Sequence, residues 1–475
     1  MNFNLLEHPF VSQTPKEGFI AITNPATLQE IAYVKSVDRE QLEHIIARSY
    51  RAQKEWAHKL ALERANILLK WRELLLENLE DLARILTQEM GKPLKEARSE
   101  IAYGANYLRW FAEEARRIDG DILPSVVEGQ KIFVLKQPIG VCGAITPWNF
   151  PSGMIARKAA PALACGCSMI IKPATQTPLS AYALMVLALR AGVPEGILSV
   201  VTGDTRMISE AICQSELVRK LSFTGSTEVG KILVKQSAGT LKKLSLELGG
   251  NAPFIVFEDA NLEKAAEGIL ASKFRNSGQT CVCANRIYVQ KSVYEPLSSI
   301  LKRKVEALKL GNGLEEHTTQ GPLIDSKAVE KVQEHIDDAT SKGAHVLSGG
   351  KPSALGASFF EPTILTGVNQ GMLVAKEETF GPLAPLFEFE HENEVLTWAN
   401  DTQYGLAAYF YTQNLARVFR VSEALEYGMV GVNSGHISTE TAPFGGIKQS
   451  GMGREGSKYG IEDYLEIKYM GVKLD

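Results

Sequence analysis

IGVCGAITPWNFPSGMIARKAAPALACGCSMIIKPATQTP, residues 139–178, begins on one short apolar run, IGVCGAI (139–145), and ends just past another, CSMIIK (167–172). Outward from it, ILSVV (197–201), KLSF (220–223) and NAPFIVF (251–257) repeat the pattern, with helical segments such as 179–191 between them. Short apolar runs separated by helices predict an α/β protein, a parallel sheet joined by crossover helices. A further β/α stretch runs from NRIYVQ (285–290) to about residue 440. Upstream, Asp38 with Gln41 forms a capping-box pattern ahead of Leu42, Ile45 and Ile46, which predicts a helix over 38–57. A longer helix is predicted over 61–89, stopped by Gly91 and Pro93. KIFVLKQP (131–138) and DYLEIKYM (463–470) alternate in polarity and read as strands outside the main pattern. They suit an arm that pairs with another subunit, or edge strands within one chain.

Composition sets the class. The 475 residues are 45% hydrophobic and 22% charged, ordinary for a globular chain of two or three domains. The net charge of −4, with no long basic run, excludes a nucleic-acid footprint. No apolar stretch of membrane-spanning length occurs. The start, MNFNLLEHPF, lacks the basic-then-apolar order of a signal peptide. Six cysteines in a chain this long make no disulfide framework. The expectation is a soluble, cytoplasmic protein. No repeat and no Pro/Gly/Ser linker divides it, so several domains would be interleaved.

Five motifs carry chemistry, each with a plainer alternative. FTGSTEVG (223–230) is a glycine-bearing turn between a strand and a helix, where backbone N–H groups can approach a phosphate. Its spacing is not G-x-G-x-x-G, so an ordinary turn fits as well. IIKPATQTP (170–178) places Lys172 at the end of a buried strand, where parallel sheets bind ligands, or where a lysine simply snorkels. ITPWNFP (145–151) holds Asn149 between two aromatics and two prolines; its amide can donate to a developing oxyanion or cap a turn. LELGG (246–250) sets Glu247 among leucines, a carboxylate that burial would make a base near neutrality unless it pairs with a lysine such as Lys242. SGQTCVCANR (277–286) holds Cys281 and Cys283 with no Cys/His cluster of metal spacing, so no metal site is expected. Cys165 and Cys167 read as packed small hydrophobes. Cys281 follows Gly278, Gln279 and Thr280, in a loop that can expose a nucleophilic sulfur.

Taken in order, PWNFP, IKPA, FTGSTEVG, LELGGNAPFIVF, GQTCVCANR, KEETFGP and PFGGIKQSGMGREG resemble the aldehyde dehydrogenase superfamily over nearly the whole chain. SKFRNSGQTCVCANR and GREGSKYG are most similar to its bacterial succinate-semialdehyde dehydrogenases. The resemblance implies an aldehyde dehydrogenase-like α/β fold. A Rossmann-like cofactor domain would take residues 1–120 and 145–247, and a catalytic α/β domain 248–440. A β oligomerisation arm would take 121–144 and 456–475, in a homodimer or homotetramer.

The resemblance also assigns roles. Cys281 would add to the aldehyde as a thiolate, giving a thiohemiacetal whose oxyanion expels hydride. Asn149 and the Cys281 N–H would hold that oxyanion, and Glu247 would activate water to hydrolyse the thioester. Lys172 would meet the adenosine ribose, Ser226 with Gly225 the pyrophosphate, and Glu378 the nicotinamide ribose, with Trp148 and Phe380 nearby. NAD-preferring relatives carry a glutamate where this chain has Thr175, so NADP is expected, with NAD possible. Arg157, eight residues after Asn149, Arg275, six before Cys281, and Ser438 would bind a carboxylate tail. Either arginine could instead pair with a protein carboxylate. Cys283 would form a reversible disulfide with Cys281, or pack as a thiol. Three other readings are a dehydrogenase for glutarate semialdehyde or another short ω-carboxy aldehyde, a cysteine hydrolase, which needs a histidine near Cys281, and a structural protein that kept the fold.

Overall fold

The computed structural model describes residues 2–356 and 358–473, so Met1, Ala357 and the last two residues of the expected 456–475 arm lie outside it. Helix α1 (Arg39–His58) starts where the capping box places it, with Asp38 accepting from the Gln41 N–H. The single helix expected over 61–89 is two, α2 (Ala61–Glu77) and α3 (Leu79–Met90). The break is Asn78, whose side-chain amide donates to the Leu74 carbonyl at 2.8 Å. A side chain that satisfies the backbone itself competes with the helix. Helix α3 ends at Gly91 (φ +94°), where a Cβ would lie 2.6 Å from the Pro322 ring. Helix α4 (Leu94–Glu114) follows and packs against α2, α3 and α5 (Gly153–Cys165).

Two main sheets organise the rest. The first has the strand order Gly451–Met452, Lys243–Glu247, Val218–Thr224, Val141–Ile145, Ser168–Lys172, Leu198–Val200, parallel except for its first member. The second has seven strands, His345–Ser348, Thr363–Val368, Leu383–Phe389, Ala284–Gln290, Ala252–Val256, Ala407–Tyr411 and Met429–Val432, parallel except for the first pair. Their central strands are buried on both faces, which is why the sequence shows apolar runs rather than alternation. The chain first passes between the sheets through Leu248–Asn251, from the carboxyl end of Lys243–Glu247 to the amino end of Ala252–Val256, and returns through residues 433–450 to add Gly451–Met452 to the first sheet.

The two outlying strands pair with each other. Gln130–Pro138 runs antiparallel to Leu465–Lys473 over nine residue pairs, and Asp121–Leu123 adds a third strand. This small sheet leaves Ile122, Ile467 and Tyr469 exposed. Among the described residues no helix is long and apolar enough to cross a membrane.

Candidate active site

The carboxyl edge of the first sheet faces loops at the amino edge of the second. Ile145 is followed by Trp148 and Asn149, Thr224 by Gly225 and Ser226, and Glu247 ends its strand. From the other side come Cys281, three residues before the strand Ala284–Gln290, and Glu378 with Phe380, ahead of Leu383–Phe389. The Cys281 loop is built from unusual backbone. A π-helical turn (Leu270–Phe274) leads into Asn276, Ser277 and Gly278, all three with positive φ. Consecutive left-handed residues cost free energy and cluster where a site must be shaped. Gly278 has no alternative, since a Cβ there would sit 2.1 Å from the Gly381 carbonyl oxygen. On the facing side, a Cβ on Gly250 would lie 2.6 Å from the Cys281 carbonyl oxygen. The glycines of LELGG therefore let the inter-sheet link close onto the cysteine loop.

Cys281 is half-buried and lines two hollows. The smaller, about 220 Å³, is a cleft bounded by Trp148, Asn149, Gly225, Ser226, Glu247, Glu378 and Phe380. The larger, about 690 Å³, opens on the other side of the sulfur and includes Arg157, Arg275, His436, Ser438 and Phe444. Burial pushes the Cys281 thiol up to about 12, with Arg157 pulling against it. Burial also holds the Glu247 carboxyl well above the usual range, reinforced by Glu455 and opposed by Arg157, Lys158 and Arg454. Both Glu247 oxygens are buried without a protein hydrogen-bond partner among the described residues. Lys242 is elsewhere, donating to the Ser215 and Val218 carbonyls, both at 3.1 Å. A buried carboxyl with no fixed partner is poised to exchange a proton. The Asn149 amide donates one N–H to the Gln279 carbonyl at 2.9 Å, and its second N–H remains for another acceptor.

The cleft suits a dinucleotide. Ser226 caps the helix Thr227–Ser237, accepting from the Val229 N–H at 3.4 Å, so a helix N-terminus points along the cleft wall. Glu378 accepts from the Gly250 N–H at 3.2 Å, and burial raises its carboxyl to about 8. Phe380 holds φ +55°, a strained value for an aromatic residue, with its ring edge-on to Trp148 at 5.5 Å. Lys172 and Thr175 stand off from the cleft, on the neighbouring strand's carboxyl end and the turn beyond it. The Lys172 ammonium is mostly buried and pulled down to about 8 by desolvation, although Asp204 opposes this. Among the described residues no cluster of ligating side chains could hold a metal.

In the larger cavity the two arginines differ. Arg157 is fully buried on α5 and ion-paired with Glu455 at 2.7 Å, its guanidinium 4.0 Å over the Phe444 ring. Its surroundings are thus those of the alternative considered for it, a pairing with a protein carboxylate. Arg275 makes no ion pair among the described residues, and its Nε is buried without a partner. Cys283 is a free buried thiol, 3.3 Å from the Lys273 ammonium, and burial raises its pKa.

Sequence reasoning passed over Glu455, Lys158, His436, Lys92, Glu100 and Asn276. Glu455 is held down to about 2, burial being outweighed by Lys158 and Arg157. A signal existed for this group: Arg157 and Lys158 are adjacent cations in an otherwise apolar, alanine-rich helix, and buried cations need a carboxylate. His436 lines the cavity beside Ser438, its pKa lowered by burial and by the Arg275 charge.

Comparison with known proteins places this geometry. A model of the aldehyde dehydrogenase family matches residues 10–470. A glutarate-semialdehyde dehydrogenase of Pseudomonas putida is 60% identical over 455 residues, 96% of this chain and 94% of that protein. The NADP(+) succinate-semialdehyde dehydrogenase GabD of Escherichia coli is 58% identical, again over 96% of this chain and 94% of that one. A crystal structure of an Escherichia coli NADP-dependent enzyme superposes with a TM-score of 0.95 at 58% identity, covering 96% of this chain and 95% of the other. The expected fold class is borne out.

Proposed function

Because the chain belongs to the aldehyde dehydrogenase family, we propose that it oxidises succinate semialdehyde to succinate, with NADP as the preferred acceptor. One observation carries this reading: Cys281 lies where a strand-end cleft meets a cavity holding Arg275, which has no ion-pair partner among the described residues. The substrate carboxylate docks on Arg275 and Ser438, with Arg157 and Phe444 forming the wall beside them. A thiol this basic reacts only as its proton leaves, and Glu247 is the buried carboxyl on the same cleft able to take it. The sulfur then bonds to the aldehyde carbon. Asn149 Nδ2 and the Cys281 N–H hold the resulting oxyanion, a contact typically worth about 3 kcal/mol per donor. A nicotinamide dinucleotide in the cleft supplies the hydride acceptor, held by Ser226, Gly225, Glu378 and Phe380, with Lys172 and Thr175 at its adenosine end. Thr175 presents a hydroxyl and no carboxylate, so a 2′-phosphate meets no like charge there. Loss of hydride from the thiohemiacetal leaves a thioester. Glu247 releases to solvent the proton it took from the thiol and, again a carboxylate, takes a proton from water, whose oxygen attacks that thioester. The acid leaves and the thiol is restored.

Glutarate semialdehyde is the second reading, favoured by the similarity to the Pseudomonas putida enzyme and by a cavity with room for one more methylene. The exposed apolar side chains of the small sheet, Ile122, Ile467 and Tyr469, suit contact with another copy of the chain in a homodimer or homotetramer. The test is a panel of butanal, succinate semialdehyde and glutarate semialdehyde, each with NAD and NADP, followed by nicotinamide absorbance. The four-carbon acid should exceed butanal in kcat/KM by ~10-fold or more, as a charge-assisted contact of ~1.5–3 kcal/mol requires. Equal values for the two would defeat the tail contact, a strong NAD preference would defeat the reading of Thr175, and no reduction of either cofactor would defeat the whole assignment.

A further inference from the structure

The loop that carries Asn149 is gripped from below by a segment outside both sheets, residues 92–100, between α3 and the second turn of α4. Lys92 and Glu100 form an ion pair at 2.6 Å with both side chains essentially inaccessible. The same ammonium donates to the Asn149 carbonyl at 2.7 Å and sits 3.9 Å over the Phe150 ring. The other Glu100 oxygen accepts from the Ser152 and Gly153 N–H groups at 2.9 and 3.0 Å. It thereby caps the N-terminus of α5, which lacks a side-chain cap of its own. Thus one buried pair fixes the backbone on both sides of Asn149.

The cysteine loop is tied to the same point. Asn276 Nδ2 donates to the Asn149 carbonyl at 3.0 Å and to the Gln279 carbonyl at 3.2 Å. The Gln279 carbonyl also accepts the Asn149 amide. Glu96, one helical turn from Glu100, accepts from the Asn276 N–H at 2.8 Å. Asn149 is therefore oriented at its carbonyl by Lys92 and Asn276, and at its amide by Gln279. A buried ion pair adds little net stability, because desolvating both charges offsets their attraction. Its value is directional, since three short contacts meet at one ammonium.

We propose that Lys92, with Glu100, is a positioning residue for the reaction, holding the free N–H of Asn149 where the oxyanion forms. The inference rests on the Cys281–Asn149 assignment above. Its consequence is that loss of Lys92 acts through Asn149 and not through substrate or cofactor affinity. Oxyanion donors tolerate little displacement, so the effect falls on kcat.

The experiment is a double-mutant cycle between Lys92 and Asn149, read with two substrates. Lys92→Met is made together with Glu100→Gln, so that no charge is stranded and the acceptor for Ser152 and Gly153 survives. Expected is a kcat ~10–100-fold lower with succinate semialdehyde, while KM and NADP affinity change less than ~3-fold. In an Asn149→Ala background the same pair should cost less than ~2-fold more. Asn276→Gly, which suits the left-handed backbone at that position, should show the same non-additivity should the buried pair prove too disruptive to fold. Losses that multiply in either cycle, an unchanged kcat, or a loss confined to KM would overturn the proposal. The cycle is repeated with p-nitrophenyl acetate, whose hydrolysis by Cys281 needs neither cofactor nor a semialdehyde. Non-additivity with the ester but no aldehyde oxidation would sink the proposed substrate and leave the role of Lys92 standing.

Discussion

The two hollows that meet at Cys281 are made in different ways. The cleft is walled by residues at strand ends: Asn149 after one strand, Ser226 after the next, Glu247 at the end of a third. Hydrogen-bonded strands fix these positions, and their chemistry is that of backbone ends and a helix N-terminus. The cavity is walled by side chains from α4, α5, the π-helical turn and the loop 434–444. Its polarity depends on which charges are already matched. The difference teaches where to look for each property: on the proposed assignment, reaction type lies in the cleft and substrate choice in the cavity. A substitution in the cleft should slow all aldehydes alike, whereas one in the cavity should separate them.

The largest effect tests the cleft. Glu247→Gln keeps the shape and removes the base. Steady-state oxidation should fall ~10²–10⁴-fold, the range for a positioned general base. The first turnover should slow as well, because the same carboxyl takes the Cys281 proton, so no burst of reduced cofactor should precede the steady state. The pH dependence follows from the raised carboxyl. Glu247 is inactive as a base when protonated, so hydrolysis climbs as pH rises through its elevated pKa, later than for an ordinary glutamate. The variant should lack that rising limb. A normal pH profile in Glu247→Gln would assign the base to another group. An equal loss for butanal and succinate semialdehyde is expected, and a selective loss would break the division between cleft and cavity.

A smaller, selective effect tests the cavity. Arg275→Ala should lower kcat/KM for succinate semialdehyde by ~10–100-fold, from a contact of ~1.5–3 kcal/mol, and leave butanal within ~3-fold. Arg157→Ala should behave otherwise. It strips Glu455 of one partner beside Glu247, so it should depress both aldehydes and shift the pH profile. If Arg157→Ala is as selective as Arg275→Ala, then Arg157 also binds the tail despite its pairing. His436 sharpens the same comparison. It is neutral at neutral pH because burial and Arg275 lower its pKa, and it gains charge only as pH falls.

That contrast also marks what was legible in the sequence. Lys172, Ser226 and Glu247 stood out as candidates because each ends or follows an apolar run, a local pattern, and the family resemblance supplied the roles proposed for them. The break at Asn78 did not, since the apolar phase runs on through it and only the side-chain bond to Leu74 reveals a stop. Of the pairing between Arg157 and Glu455, only Arg157 stood out. Its partner lies some 300 residues on and is brought in by the antiparallel strand Gly451–Met452. Lys92 gave no signal, because a lysine between a glycine and a proline looks like any helix-to-helix turn. Residues that act alone at an element's end are readable, and residues defined by a distant partner are not.

Cys283 is the finest probe of the boundary, because it lies two residues from Cys281, the proposed nucleophile, yet lines neither hollow and contacts Lys273 instead. A regulatory disulfide would proceed in two steps: the Cys281 thiolate attacks peroxide and becomes a sulfenic acid with loss of hydroxide, and the Cys283 thiol then displaces the hydroxyl from that sulfur, its proton leaving with it as water, to give a disulfide. The second step needs Cys283 to leave its contact with the ammonium and the loop to tighten. Cys283→Ser should therefore leave the rate of peroxide inactivation unchanged to within ~2-fold, since Cys281 is attacked first. What should change is the fraction of activity recovered by dithiothreitol after prolonged peroxide, because an unprotected sulfenic acid oxidises on to the irreversible sulfinic state. Equal recovery in the parent and the variant would make Cys283 a packed thiol, and would show that two residues of separation in this loop are enough to insulate the core from the chemistry of the cleft.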